Sequence, residues 1–349
     1  MSHRIDYVWL DVNGNIREKS MFNNIPQGNI YEYSIWTFDG SSCGLATTDH
    51  SDLILKPVHA FPITPTSTFT HHTILLCEVY NGDMTPHCTN YRYNYMKIVD
   101  AAEKYKPLFG IEQEYVIIQQ HNEDYMIKPY LWVSRNGPFT TDITKENCEN
   151  KQGEFYCGVG AMKAFGRCIV EEHVTLCRNA NIAICGINAE VMPSQWEYQI
   201  GPIPGEDIAD QLIISRYLLK KAAEKYGADI TFHPKPMKGW NGSGGHTNFS
   251  TYKMRNSYDA IIEACEKLKT NHTEHMKVYG EYNVERLCGS FETSNPYKFT
   301  YGVGDRSCSV RIPQQCYLNK KGYLEDRRPA ANMNPYLVCG KILSTVCLI

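Results

Sequence analysis

Residues 109–118, FGIEQEYVII, carry the most informative pattern in the chain. On an extended strand successive side chains point to opposite faces, so residues two apart share a face. This predicts a strand with Phe109, Ile111, Tyr115 and Ile117 on one surface and Glu112 beside Glu114 on the other. Paired carboxylates in an apolar strand are tolerable where one keeps a proton, where cations lie beside them, or where that face is wet. A bound metal accounts for both at once; a solvated strand face is the bland alternative.

The same alternation recurs. Residues 4–12 (RIDYVWLDV) read as a strand ending in the hairpin signal Asn13-Gly14. YEYSIWTFDG (31–40) and HTILLCEVY (72–80) read as further strands, with Pro57, Pro62 and Pro65 punctuating a coil between them. The turn-rich stretch NGDMTPHCTN (81–90) marks a boundary between residues 1–88, a small β-rich module, and a larger unit, 89–349. In the larger unit helical periodicity covers 90–105, 161–180, 207–226 and about 257–278, and strand-like pieces cover 182–191, 195–201, 246–251, 307–313 and 322–327. Strands cluster rather than alternate with helices, which is an α+β pattern.

Composition narrows the class. A chain of 349 residues with 42% hydrophobic and 21% charged residues is ordinary globular material. A formal net charge of −3 gives no reason to expect nucleic acid or an anionic membrane. No apolar run is long enough to span a bilayer, and the N-terminus shows no secretory signal. Fourteen cysteines without a CxxC pair read as reduced thiols, which favours the cytoplasm.

Further polar residues stand where a strand should be apolar. Glu197 shares a face with Gln199, while Trp196, Tyr198 and Ile200 take the other. Glu190 closes the preceding segment. His246, Asn248 and Ser250 alternate with Thr247 and Phe249, and Tyr323, Glu325 and Arg327 share a face. Five Glu and one His could hold two or three divalent cations, and oxygen-rich ligation suits Mg²⁺ or Mn²⁺. With Arg286, Arg306, Arg311, Arg327 and Arg328 nearby in sequence, the combination suits a phosphoryl substrate. The bland readings are a satisfied structural His246 and a surface ion-pair cluster at 325–328. The Glu171-Glu172-His173 triplet reads as helix surface.

In order along the chain stand FDGSS (38–42), FGIEQEY (109–115), YCGVG (156–160), NAEVMPSQWEYQIGP (188–202), WNGSGGHTNFST (240–251), FETSN (291–295) and KKGYLEDRRPAANMNPY (320–336). On these motifs the chain resembles the eukaryotic-type (class II) glutamine synthetases, from about residue 5 to 347. The resemblance implies a β-grasp domain at 1–88. It implies a glutamine synthetase/guanido-kinase-like catalytic domain at 89–349, unrelated to ATP-grasp folds, with a curved antiparallel sheet lining a metal funnel. It implies that Glu114, Glu190 and Glu197 hold the glutamate-side metal and that Glu112, His246 and Glu325 hold the phosphate-side one. Arg306 and Arg311 would contact nucleotide phosphates, Arg306 also lying near the transferred group. Arg286 and Arg327 would grip glutamate carboxylates. Asn241 and Gly242 would line the glutamate site, and Asn248, Ser250 and Tyr323 the nucleotide site. Asp39 resembles the base that deprotonates ammonium, in a pocket with Ser42, Tyr156 and Glu190, and Glu292 the flap residue of a lid at 280–296.

The implied reaction is ATP-dependent ligation of ammonia to glutamate through a γ-glutamyl phosphate, in pentameric rings stacked as a decamer, with Asp39 serving the next subunit's site. A γ-glutamyl ligase for another amine and a catalytically silent structural relative are the alternatives. Three departures stand out: short termini, which bear on ring-to-ring contacts; Leu108, where many relatives carry Trp; and a divergent CGLATTDHSD loop after FDGSS.

Overall fold

The computed structural model describes residues 3–23, 29–63, 71–119, 128–131, 153–289 and 293–349. Two sheets organise them. The N-terminal sheet has the order β2-β1-β5-β4-β3, from β1 (His3–Leu10), β2 (Ile16–Asn23), β3 (Trp36–Asp39), β4 (Asp52–Ile63) and β5 (His71–Tyr80). β1 pairs with β2 through the hairpin and runs parallel to β5. Its core gathers Ile5, Tyr7, Trp9, Phe38, Leu53, Leu55 and Leu75.

Two readings change here. Pro57 and Pro62 lie within β4 rather than in a coil. β3 pairs with β4 only over Asp52–Leu55, so from Lys56 onward that edge carries no ladder for a missing N–H to break. A bulge between Pro57 and His59 absorbs the irregularity. Residues 31–40 are not one strand either: Ile30–Glu32 form a 3₁₀ turn, and β3 begins at Trp36.

The second sheet has the path β12-β13-β14-β11-β6-β9-β8, with β7 and β10 also pairing with β6. Its members are β6 (Leu108–Gln119), β7 (Lys128–Pro129), β8 (Ile184–Ala189), β9 (Gln195–Pro204), β10 (Ala228–Thr231), β11 (Gly245–Ser250), β12 (Tyr301–Val303), β13 (Val310–Ile312) and β14 (Leu324–Asp326). β6, β9, β11 and β14 are mutually antiparallel neighbours at its centre. Helices α1 (Tyr91–Ala102), α2 (Arg167–Asn179), α3 (Gly205–Glu224), α4 (Tyr258–Thr270) and α8 (Pro335–Leu343) share one apolar core with the back of this sheet. Short helices α5 (His272–Met276), α6 (Asn283–Arg286) and α7 (Gln314–Asn319) lie between them in sequence.

The back of the sheet follows the alternation: Phe109, Ile111, Tyr115 and Ile117 of β6 join Trp196, Tyr198 and Ile200 of β9 in that core. α2 starts at Arg167, not 161, because Gly166 takes a left-handed φ of +77° at its N-cap. His173 is not on the surface. It is fully buried against α3, its Nε2 3.0 Å from Ser215 Oγ and 3.1 Å from Cys177 Sγ. Cys43, Cys77, Cys177, Cys265, Cys316, Cys339 and Cys347 are free thiols, and no described helix is long and apolar enough to cross a membrane.

Candidate active site

The front of the second sheet gathers the charged residues because neighbouring strands bring them into register. Glu112 pairs with His246 on β11 and with Gln199 on β9; Glu114 pairs with Glu197. Asn248 pairs with Glu325, and Glu325 with Arg311. Five strands, β6, β9, β11, β13 and β14, therefore deliver their polar positions to one strip, and Glu190 reaches it from just beyond β8.

Two close donor sets result. Ligand atoms of Glu112, His246 and Glu325 lie within 4.8 Å of one another, as do those of Glu114, Glu197 and His246. His246 Nδ1 is common ground: 3.4 Å from Glu112 Oε2, 3.8 Å from Glu114 Oε1 and 3.7 Å from Glu325 Oε1. The first set matches the expected phosphate-side group. In the second His246 stands where Glu190 was expected, and Glu190 lines the same cavity outside both close sets. Carboxylate oxygens with one imidazole suit a hard divalent cation, so the residues present fit magnesium or manganese.

The electrostatics agree with that fit. Burial and then the Glu190 charge push Glu114 up to about 8. Burial and then Glu112 and Glu114 push Glu197 up to about 8, and burial and then Glu197 push Glu190 up to about 7. The cluster without a cation thus holds protons that a cation would displace. Burial, and then the Arg327 cation, holds His246 well below the usual histidine range, so its imidazole is neutral and able to ligate.

A cavity of about 590 Å³ stands over the strip. Its lining brings together Glu112, Glu114, Tyr156, Glu190, Glu197, Asn241, Gly242, His246, Arg286, Arg306, Arg311, Glu325 and Arg327. Glu325 lies between two guanidinium groups, Arg327 Nη1 at 2.6 Å and Arg311 Nη1 at 2.9 Å. With Arg327 and Arg328 both buried, the surface ion-pair reading of 325–328 fails. Arg328 serves the interior, bound to Asp326 at 2.6 Å. Arg286 donates from Nη2 to the carbonyls of Arg327, Arg328 and Pro329 at 2.8–3.0 Å, so much of its guanidinium holds the chain itself. Asn241 Oδ1 and Arg311 Nε are buried with no hydrogen-bond partner among the described residues.

The glycines of WNGSGGH matter for close approach. A Cβ on Gly242 would stand 2.4 Å from Pro234 O and 2.5 Å from Arg286 Cγ; one on Gly244 would stand 2.7 Å from His246 Nε2. Gly244 N also donates to Glu114 Oε2 at 2.9 Å.

A second, mainly apolar cavity of about 640 Å³ adjoins the first, with Glu112 and Gln199 lining both. Asn248, Ser250 and Tyr323 line it as expected, together with Leu108, Ile200, Pro202 and Arg255. Asp39 and Ser42 do not line the first cavity. They sit at the end of edge strand β3, where Asp39 is exposed and accepts from Ser41 Oγ and Ser42 Oγ at 2.6 Å. Those two hydroxyls hold the Asp39 carboxyl below its ordinary range. Glu292 lies outside the described residues. Gln195 is a site residue that sequence reasoning missed: its Nε2 donates to Gly242 O at 2.9 Å and to Glu114 Oε2 at 3.3 Å. One more step of the two-residue alternation back from Glu197 reaches it.

The family model described as glutamine synthetase, catalytic domain, matches residues 92–276 and 283–347, and that described as glutamine synthetase, beta-Grasp domain, matches 1–82. The chain belongs to the glutamine synthetase family. Among its relatives, the glutamine synthetase of Tuber borchii is 44% identical over 345 residues, covering 98% of this chain and 91% of its own. That of Emericella nidulans is 43% identical, covering 98% and 92%. A solved structure, the Plasmodium falciparum glutamine synthetase, shares the fold, with a TM-score of 0.77 over 99% of this chain and 71% of its own at 18% identity. The N-terminal sheet is thus the β-grasp domain of a glutamine synthetase, and family membership carries the activity, ligation of ammonia to glutamate.

Proposed function

We propose that the two adjoining cavities divide the reaction between them. The apolar one takes ATP, with Asn248, Ser250 and Tyr323 beside the nucleoside. Its phosphates reach the charged cavity past Glu112. Arg306 and Arg311 bind those phosphates. Glutamate lies on the far side, its carboxylates against Arg327 and Arg286 and its amino group toward Asn241 and Gly242. The carrying observation is that Glu112 and Gln199 line both cavities, so a phosphoryl donor and a carboxylate acceptor can meet there. The unpartnered Asn241 Oδ1 supports a cationic amino group as its neighbour, and the unpartnered Arg311 Nε supports an anionic one.

Glu112, His246 and Glu325 would hold a phosphate-side cation, and Glu114, Glu190 and Glu197 a glutamate-side one, two to three ions of Mg²⁺ or Mn²⁺ in all. When bound, these ions neutralise phosphate charge. The arginines align the glutamate γ-carboxylate so that its oxygen attacks the γ-phosphorus and ADP leaves. Ammonium has no lone pair, so a carboxylate must bind the cation and take its proton before nitrogen attacks the acyl phosphate and phosphate departs. Tyr156 and Glu190 form one wall of that ammonium pocket. Asp39, with Ser42, completes it from an adjacent subunit, because the end of β3 lies apart from its own chain's cavity. This reading takes residues 1–88 and 89–349 as the two domains and pentameric rings paired into a decamer as the assembly. Free buried thiols such as Cys77, Cys177, Cys265 and Cys339 support a cytoplasmic setting.

Purified protein with ATP, Mg²⁺ and glutamate, offered ammonium or a panel of larger amines, tests the reading by phosphate release and product analysis. Glutamine and phosphate should form together with ammonium. Turnover only with a larger amine would overturn it, and no turnover under any condition would favour a structural role.

A further inference from the structure

Beneath the carboxylate strip lies an arginine with no carboxylate partner among its described contacts. Arg216 of α3 is buried, yet its hydrogen-bond acceptors among the described residues are all neutral. Its Nε and Nη2 donate to the side-chain oxygen of Gln113 at 2.9 and 2.6 Å. Nη2 also donates to Ala331 O at 2.9 Å, and Nη1 to Met333 O at 2.9 Å. Gln113 stands on β6 between Glu112 and Glu114, on the core face. Its amide Nε2 donates to Glu114 O at 2.8 Å and to Ala331 O at 3.0 Å.

A glutamate at 113 would pair with Arg216 by charge, which is the usual way to offset a buried guanidinium. It could not donate to two carbonyls. The amide does both: its oxygen accepts the guanidinium while its nitrogen ties the backbone of Glu114 to Ala331. Ala331 follows β14, which carries Glu325 and ends just before Arg327, and its N–H donates to Ser243 O at 3.1 Å in the glycine-rich run before His246. Three of the arms that supply ligands, β6, the 241–246 run and the 324–333 segment, therefore converge on one buried knot.

We propose that Gln113 and Arg216 are positioning residues that set the spacing of Glu112 and Glu114 against His246 and Glu325. The pair touches neither substrate nor cation; it acts through the backbone of Glu114 and Ala331. The proposal rests on the metal reading of the strip given above. Outer groups that orient metal ligands commonly change affinity about 10–100-fold when altered.

Gln113→Glu is the decisive variant. It keeps an acceptor for Arg216 and adds negative charge beside the strip, which by electrostatics alone tightens cation binding. It removes both amide donors. Mn²⁺ binding to the purified assembly, followed by the electron paramagnetic resonance of free Mn²⁺ below the unfolding temperature, should show affinity weakened about tenfold or more. The KM for metal should rise while kcat recovers at saturating metal. Unchanged or tighter binding in folded Gln113→Glu overturns the proposal. Arg216→Lys keeps the cation but not the fork; it should weaken binding in the same direction, and it decides the matter if the first variant does not fold. Failure of the parent protein to bind Mn²⁺ would instead refute the metal reading itself.

Discussion

Metal-free protein should lose stability as pH rises through neutrality, and divalent cations should cancel that loss. Burial, and then the neighbouring carboxylates Glu190 and Glu112 respectively, raise Glu114 and Glu197 from 4.5 to about 8. Between those values the folded state binds more protons than the unfolded chain, so stability falls with rising pH. One pKa unit corresponds to about 1.4 kcal/mol, so one such group changes stability by at most about 5 kcal/mol across the whole window. The buried histidines act in the opposite direction. His173 and His275, lowered from 6.5 to about 3 chiefly by burial, make stability fall as pH drops below 6.5. The clean interval therefore runs from 6.5 to 8, above the unfolded histidine titration. There each raised carboxyl accounts for a loss of about 1–2 kcal/mol.

Urea unfolding followed by tryptophan fluorescence, at fixed protein concentration, measures this directly. With chelator present, stability should decline across the interval. With saturating Mn²⁺ the decline should vanish or reverse, because the metal takes the deprotonated carboxylates and its affinity grows as protons leave. Mixing metal with protein near pH 7 should release protons, and the release should shrink above pH 8. Metal-free stability that stays flat or rises over the interval, with no proton release on metal addition, would refute the protonated-cluster account.

Three further outcomes follow from the geometry. Glu112→Gln should weaken the phosphate-side cation and Glu114→Gln the glutamate-side one, seen as loss of different Mn²⁺ classes in binding isotherms; equal effects on both classes would contradict the split. Gly242→Ala drives a methyl group to within 2.5 Å of both Pro234 O and Arg286 Cγ; overpacking of this kind costs about 1–3 kcal/mol, and the KM for glutamate should rise more than that for ATP. Co-assembled Asp39→Asn and Glu325→Gln subunits, each inactive alone, should recover glutamine formation if Asp39 serves a neighbouring chain's cavity; mixed assemblies as inactive as either parent would remove that role.

The site was legible wherever a two-residue alternation met a polar residue. Glu112 and Glu114, Glu197 and Gln199, and His246 and Asn248 were assigned to their faces correctly because strand geometry alone fixes which side a residue takes. What stayed hidden depended on distant partners. The β4 prolines read as coil because nothing local reveals that β3 covers only the first four residues of that strand. Gln113 interrupts the apolar face of β6, but its reason is an arginine 103 residues away. His173 is instructive in the other direction. Ile169, Val170, His173 and Cys177 are the buried positions of α2, a regular three-and-four spacing. Spacing puts His173 on the inward face despite its polarity, whereas its neighbours Glu171 and Glu172 lie outside the buried set.

The strip of carboxylates is assembled against its own repulsion, and the two faces of the sheet explain how. Its ligands come from β6, β9, β11 and β14, spread from Glu112 to Glu325 along the chain, so neither close set exists until the central strands have paired. On the front, pairing forces Glu114 opposite Glu197, an unfavourable neighbour pair. On the back the β6–β9 pairing sets Tyr115 beside Tyr198, with ring centroids 5.9 Å apart, and the β6–β11 pairing sets Phe109 beside Phe249 at 4.9 Å. A one-residue slip would relieve the front by turning the carboxylates into the apolar core, which is far more costly. The core face thus dictates register, and the charged face must accept it. Protons or divalent cations then offset the repulsion that remains, which is why cation binding and the stability of this sheet have to be coupled.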